Sequence, residues 1–398
     1  VSGGLALPDP ARTAWRRVLL RFAQQAGLPV REGNAVALLA GGTAILDATR
    51  ALIRGARQAL RFEMYIWSPD EAGQELADLL AEAAARGVRV HGVVDHLGSL
   101  GAGPLVERVR EAGGSIRYFH PVAPWRPLRI WNRRNHRKLV IADGREAVVG
   151  SANWATEYDL RRTREAFLDL GLALRGPSVA DLDEDLRRVW RRCGPDDLAP
   201  APAQPGEALW PGPWHEEAVV QVVTSVQRFG TRAIRRHVEF LVRQAAGRLW
   251  IANAYFVPSA RLLGLLGRAA RRGVDLRILL PGVSDNPLTR AAGRAVFGGL
   301  LRSGARIFER GGRFLHAKAA LLGAEHALVG SANLDSRSFR HNLELNLLVQ
   351  HAGFAAELEK AFLDQMPDSR EIALAAWEAR PWRARVGQHA AYALRWWL

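Results

Sequence analysis

Apolar positions along this chain recur in two alternating rhythms, one helical and one extended. Residues 8 to 27 place Trp15, Val18, Leu19 and Phe22 on a single stripe, which predicts a helix. Ala35 to Gly42 is a short apolar run closed by a glycine pair, a strand leading into a turn. Asp47 to Leu60 is again helical and feeds an extended run, Arg61 to Trp67. A helix over about 71 to 86 ends at Arg86-Gly87, and the apolar strand Val88 to Val94 follows and closes with Asp95. A helix over about 102 to 112 then reaches Gly113-Gly114 before the strand Ser115 to Phe119. Glycines at the helix ends supply the left-handed residue that commonly stops a helix. Helices alternating with short β-branched strands predict an α/β fold whose sheet is largely covered by helices.

The same rhythm then starts again. Arg232 to Ala246 is a helix and Arg248 to Val257 a strand, matching the run from Arg61 to Trp67. Arg272 to Leu280 repeats the pattern of Arg86 to Val94, and Ser303 to Phe308 repeats Ala112 to Tyr118. A near-constant offset between the copies predicts a duplicated unit, two halves related by a pseudo-two-fold axis. Between them, Cys193 to Pro213 contains six prolines, a linker composition. The expected division is therefore an N-terminal domain over 1–195, a Pro-rich linker over 196–216 and a C-terminal domain over 217–398.

One pair of stretches carries chemistry. Asn135-His-Arg-Lys-Leu-Val-Ile-Ala-Asp-Gly144 is echoed by Leu315-His-Ala-Lys-Ala-Ala-Leu-Leu-Gly323, and the second His lies 180 residues after the first. His136 and Lys138, like His316 and Lys318, are two apart, which on a strand puts them on one face. Fourteen residues after each His comes Gly-Ser-Ala-Asn, ending at Asn153 and Asn333. Asp143-Gly144 predicts a hairpin turn, and Gly323 stands where Asp143 does and can still make it. A lone His-x-Lys is ordinarily a surface strand; two copies at equal spacing in a duplicated fold are not. Two imidazoles, two ammonium groups and two carboxamides suit phosphodiester chemistry that needs no metal or other cofactor. One imidazole attacks phosphorus while the other protonates the departing alcohol and deprotonates the incoming one. The lysines and asparagines hold the non-bridging oxygens. Asp169 and Glu344, each following its motif in a strand-like run, are the candidates to fix the histidine tautomers. The alternative for both is an exposed strand carboxylate.

Charge adds an anionic partner to this picture. The net charge is +15, from 55 Lys and Arg against 40 Asp and Glu. The segment before the first motif, Pro121 to Asn135, holds Trp125, Arg126, Arg129, Trp131, Arg133 and Arg134, a composition for contact with lipid headgroups. The tail adds Trp377, Trp382, Arg383, Arg385, Arg395, Trp396 and Trp397, and Leu288 to Arg302 reads as a basic helix with an apolar face. No uninterrupted apolar run approaches 18 residues, so the expected membrane contact is peripheral. Val1 to Pro8 does not read as a signal peptide, and the absence of an initiator Met leaves the native start open. The one cysteine, Cys193, excludes an internal disulfide and a cysteine-based zinc cluster and fits a reducing cytoplasm.

The His-x-Lys motif with Gly-Ser-x-Asn, in two copies, resembles the phospholipase D superfamily. Glu32-Gly-Asn34, Glu63 to Trp67, Tyr255 to Pro258 and Ser331 to Phe339 are more narrowly similar to bacterial cardiolipin synthases, a likeness running from about residue 30 to 365. The resemblance implies two phospholipase D-like α/β/α sandwich domains. It also implies transfer of a phosphatidyl group from phosphatidylglycerol to a second phospholipid through a phospho-histidine, without metal, at the cytoplasmic face of the inner membrane. By the same resemblance His136 is the nucleophile and His316 the acid and base. The departure is Gly323, where the family has Asp; it touches local support more than chemistry. A hydrolase would use the same residues with water as acceptor. A nuclease of the superfamily would exploit the positive charge but not the Trp-rich segments, and a non-enzymatic scaffold would not retain both His-Lys pairs and both Asn.

Overall fold

The computed structural model describes residues 20–122, 131–201, 206–226, 230 and 232–397. Fifteen strands among them make one sheet. The first half supplies β1 (Val30–Ala40), β2 (Ala59–Met64), β3 (Arg89–Asp95), β4 (Ser115–Phe119), β5 (Leu139–Ala142), β6 (Glu146–Gly150) and β7 (Leu170–Arg175). The second supplies β8 (His215–Thr224), β9 (Arg248–Asn253), β10 (Asp275–Pro281), β11 (Arg306–Arg310), β12 (Lys318–Leu322), β13 (His326–Gly330), β14 (Leu345–Gln350) and the short β15 (Ser369–Glu371). The order is β15-β11-β10-β9-β12-β13-β14-β8-β1-β7-β6-β5-β2-β3-β4. Apart from β15, each half has the same internal order read outward from the β1–β8 seam. Three strands run parallel at each outer end and the inner ones are antiparallel.

The halves are joined by packing as well as by hydrogen bonds. β1 pairs with β8 antiparallel, with register irregularities between Arg31 and Val36. One apolar core crosses the seam, bringing Trp190, Leu186 and Val179 of helix Ser178–Cys193 together with Phe354, Leu358 and Phe362 of helix Ala352–Leu363. The opposite sheet face carries two separate cores, one per half. Sheet faces so covered require apolar strands, which is why β5 and β6 are buried throughout.

Element ends moved from where periodicity set them. The helix expected over 47–60 runs from Gly42 to Gly55. Gly42 permits this early start, since a Cβ there would collide with the Tyr158 carbonyl. The strands expected to reach Trp67 and Val257 stop at Met64 and Asn253; beyond them only single bridges persist, Trp67 to Trp154 and Phe256 to Leu334. Of the helix expected over 8–27, residues 20–26 are described as helical; Trp15, Val18 and Leu19 lie outside the described residues. Phe22 stacks on Phe240 at 4.4 Å. β8 begins at His215, inside the expected linker. The segment before it is docked on the first half: Asp197 pairs with Arg117, and the Leu209 and Trp210 amides donate to the buried Glu146 carboxylate.

Both hairpins form. Ala142 pairs with Glu146 and Leu322 with His326. Asp143 and Gly144 turn with φ of 51° and 63°, and Gly323 takes φ 57°, a conformation that strains most side chains.

Candidate active site

Neither histidine lies within a strand. His136 to Lys138 precede β5, and β12 begins only at Lys318, so the shared strand face expected for each His-Lys pair is instead an extended lead-in. The reason is that these backbones pair across the seam. His136 N donates to Leu343 O at 2.9 Å and Leu343 N to Arg134 O at 2.8 Å. Symmetrically, His316 N donates to Leu168 O at 2.7 Å and Leu168 N to Phe314 O at 2.8 Å. Each crossing delivers the residue just after Leu168 or Leu343, a carboxylate, to the histidine of the opposite half.

Nδ1 of His136 therefore lies 3.0 Å from Glu344 Oε2, and Nδ1 of His316 lies 2.8 Å from Asp169 Oδ2. Both carboxylates are buried, which excludes the exposed-strand alternative. Glu344 Oε2 also accepts from Ser331 Oγ at 2.5 Å and Oε1 from Ser338 Oγ at 2.8 Å; Asp169 accepts from Ser151 Oγ and from the Leu170 amide. A carboxylate so fixed accepts a hydrogen bond from Nδ1–H and so leaves the lone pair on each Nε2. Lys138 Nζ donates to His136 O at 2.9 Å and Lys318 Nζ to His316 O at 2.6 Å. The halves differ at Nε2. Lys318 Nζ sits 2.7 Å from His316 Nε2, whereas His136 Nε2 has no hydrogen-bond partner among the described residues.

Burial sets the charge states. It pushes His136 down to about 4, with Glu344 opposing and Lys138 adding to the fall, and His316 down to about 3, with Lys318 adding and Asp169 opposing. Burial lowers Lys318 to about 8 and, with the repulsion of Lys318, takes Lys138 well below its ordinary range. Burial alone would raise Asp169, but His316 and Lys318 hold it below the usual carboxylate value. Burial thus favours neutral imidazoles and leaves both lysine amines poorly hydrated, surroundings in which a bound anion would stabilise their charged forms.

Asn153 and Asn333 are buried beyond β6 and β13. Asn153 Nδ2 donates to Tyr158 OH at 2.9 Å and its Oδ1 accepts from Ile66 N; Asn333 N donates to Ser338 Oγ, and its Oδ1 is a buried acceptor with no partner among the described residues. Asp143, grouped with the catalytic residues from its motif, is not beside them. Its carboxylate accepts the amides of Arg57, Gln58 and Ala59 and so ties the hairpin turn to the start of β2. Arg134 is likewise no membrane contact: it is 1% exposed, donates to His120 O and Arg133 O, and lies 3.5 Å from the buried Asp95. Arg133 is exposed and Trp131 partly buried, while Trp125, Arg126 and Arg129 lie outside the described residues. In the tail Trp377 is buried against Phe297 beneath Arg380, whereas Trp382 and Trp397 are exposed.

Several neighbours were not picked out from sequence. Tyr65 packs its ring on His136 at 4.7 Å and under Lys138 Nζ at 5.0 Å. Tyr158 lies 5.4 Å from His316. Ser151 and Ser331 sat in plain view inside the repeated Gly-Ser-Ala-Asn and could have been found there; Tyr158 has no counterpart in the second copy and gave no signal. Glu63 and Asp95 anchor Asn135, through its side chain at 2.8 Å and its amide at 2.8 Å, and so fix the residue ahead of His136.

The family described as "Cardiolipin synthase, PLD-like domain" matches residues 49–190 and 240–366. Cardiolipin synthase A of Pseudomonas fluorescens (strain SBW25) is 33% identical over 348 residues, 87% of this chain and 71% of its own. Cardiolipin synthase B of Escherichia coli (strain K12) is 34% identical over 340 residues, covering 81% and 78%. Among solved structures, the phosphatidylserine synthase of Haemophilus influenzae Rd KW20 superimposes with a TM-score of 0.71 at 16% identity, over 95% of this chain and 99% of that one, a likeness of fold.

Proposed function

Because the chain belongs to the cardiolipin synthase family of phospholipase D-like enzymes, a family of phosphatidyltransferases, we propose that it moves the phosphatidyl group of phosphatidylglycerol through His136 to a second phospholipid. The observation that carries the assignment of roles is the inequality at Nε2. His136 presents an open lone pair, held by Glu344, while the same position of His316 is already engaged by an ammonium proton. His136 Nε2 attacks phosphorus, a P–N bond forms and the P–O bond to glycerol breaks. The glycerol oxygen takes its proton from His316, which is protonated at Nε2 once the charges of bound phosphate and Asp169 outweigh the burial and Lys318 repulsion that keep the ring neutral without it. The hydroxyl of the second lipid then gives its proton to His316 and attacks phosphorus, and the P–N bond breaks to return His136. Lys138, Lys318, Asn153 and Asn333 neutralise and orient the phosphoryl oxygens, the amines and the carboxamide Nδ2–H groups acting as donors.

The partners are phospholipids, and the site of action in this reading is the cytoplasmic face of the membrane, reached peripherally. No helix among the described residues is long and apolar enough to cross a bilayer. The surplus of positive charge and the exposed tail tryptophans support the contact. The test is incubation with phosphatidylglycerol vesicles in the presence of chelator, with His136→Ala and His316→Ala alongside. Cardiolipin and glycerol, lost in both variants by roughly a thousandfold or more, is the expected result. Phosphatidic acid as the sole product would turn the reading to hydrolysis.

A further inference from the structure

The second half carries an element that the first half lacks. One helix, Gly103–Glu111, separates β3 from β4, whereas β10 and β11 are separated by two, Pro287–Arg294 and Phe297–Arg302. The helix Trp382–Ala393 lies against the first of these: Ala391 is buried with Val257 and Ala292, and Tyr392 OH donates to Pro258 O at 2.8 Å. A cavity of about 450 Å³ opens beside them, lined chiefly by Ser284, Arg290, Arg294, Arg370 and Gln388. It sits at the C-terminal ends of parallel β10 and β11, the end where open α/β sheets take ligands. None of its lining residues belongs to the histidine centre.

Its charge is unbalanced. One buried carboxylate, Glu309 of β11, meets three guanidinium groups: Arg294 Nη1 at 2.5 Å, Arg370 Nη2 at 3.0 Å and Arg290 Nη2 at 4.0 Å. Arg290 Nε is buried without a hydrogen-bond partner among the described residues. Gln388 Oε1 accepts from Arg380 Nη1 at 2.6 Å, which brings a fourth guanidinium to the rim. Planar guanidinium groups converging on a cavity with spare donors suit a phosphate. Exposed apolar side chains on the same two helices add a second constraint. Leu288 on one helix and Trp382 and Val386 on the other are 45%, 66% and 57% exposed. A soluble anion has no use for them, whereas a lipid headgroup in a bilayer brings apolar surroundings.

We propose that Arg290, Arg294 and Arg370 bind the phosphate of an anionic phospholipid still seated in the bilayer, with Leu288, Trp382 and Val386 entering the surface around it. The choice of a lipid ligand rests on the phosphatidyltransferase reading. The site holds the enzyme on the membrane through a lipid that is not reacting.

The test measures co-sedimentation of the full chain with phosphatidylcholine vesicles, with and without phosphatidylglycerol. Arg290→Gln with Arg370→Gln should weaken binding to the anionic vesicles about tenfold or more, from roughly 1 kcal/mol per cation at a membrane surface. Arg188→Gln with Arg191→Gln, which removes the same charge from helix Ser178–Cys193, should weaken it far less. Trp382→Ser with Val386→Ser should lower binding to both kinds of vesicle. Equal losses in the two arginine pairs, or none in the first, would overturn the site. So would indifference to phosphatidylglycerol together with tight binding of soluble glycerol phosphate. Turnover of dispersed short-chain phosphatidylglycerol should be unchanged in the Arg290/Arg370 variant, which checks its fold. If the unaltered protein fails to turn over lipid, the phosphatidyltransferase reading fails while the binding comparison still decides the site.

Discussion

At the scale of single residues the account turns on two imidazoles of like sequence and unlike surroundings. Asp169→Asn and Glu344→Gln keep shape and remove the charge that sets the Nδ1 proton, so each should lower kcat by about a hundredfold or more, with KM little changed, in a phosphatidylglycerol turnover assay. The depressed histidines also couple stability to pH. His136 at about 4, His316 at about 3 and His237 at about 3 bind protons less readily folded than unfolded, where the ordinary value is near 6.5. Their neutral form is therefore no burden above pH 6.5, and stability falls as pH drops from there toward 4 and 3. Each such group contributes a slope of about 1.4 kcal/mol per pH unit within that window. Chemical denaturation across pH should show this, and His237→Gln, at a site where the ring bonds Gln221 Oε1 and lies against Phe22, should remove one group's share of the slope. The His-Lys pairs and the Asn were legible because duplication printed them twice. Which carboxylate serves which histidine was not, since it depends on backbones that cross a seam no local spacing encodes.

At the scale of elements, the hairpins show what a motif residue does when it is not part of the chemistry. Asp143 collects three amides at the start of β2, so Asp143→Ala should cost about 1–3 kcal/mol in urea denaturation, with activity changed much less than by the histidine variants. In the second copy Gly323 keeps the turn at φ 57° without the carboxylate, and its amide and carbonyl pair with Arg248 instead. Gly323→Ala should therefore destabilise by roughly 1 kcal/mol, measured the same way. Element type and order could be read from periodicity, because the core faces impose it. Ends could not: Gly42 starts its helix early to pass Tyr158, and β2 and β9 stop at Met64 and Asn253, beyond which their chains keep only single bridges to Trp154 and Leu334.

At the scale of the molecule, duplication has made one sheet and one centre from two halves, with the histidine of each half oriented by the other. The repeat announced the two halves, but the fusion through β1 and β8 and the single core beneath it lie in contacts between distant segments. The tryptophan-rich tail was equally ambiguous in sequence. Packing buried Trp377 and left Trp382 and Trp397 outside, a division set by where Phe297 and Arg380 happen to stand. The claim on which the rest depends is that this shared centre passes the phosphatidyl group through His136. Quench of the protein in alkaline denaturant during turnover of phosphate-labelled phosphatidylglycerol, followed by peptide mapping at alkaline pH, which preserves the P–N bond, tests it most directly. Label on the peptide containing His136, absent in His136→Ala, is the predicted result. Label on the His316 peptide, or turnover with no labelled protein at any quench time, would contradict it.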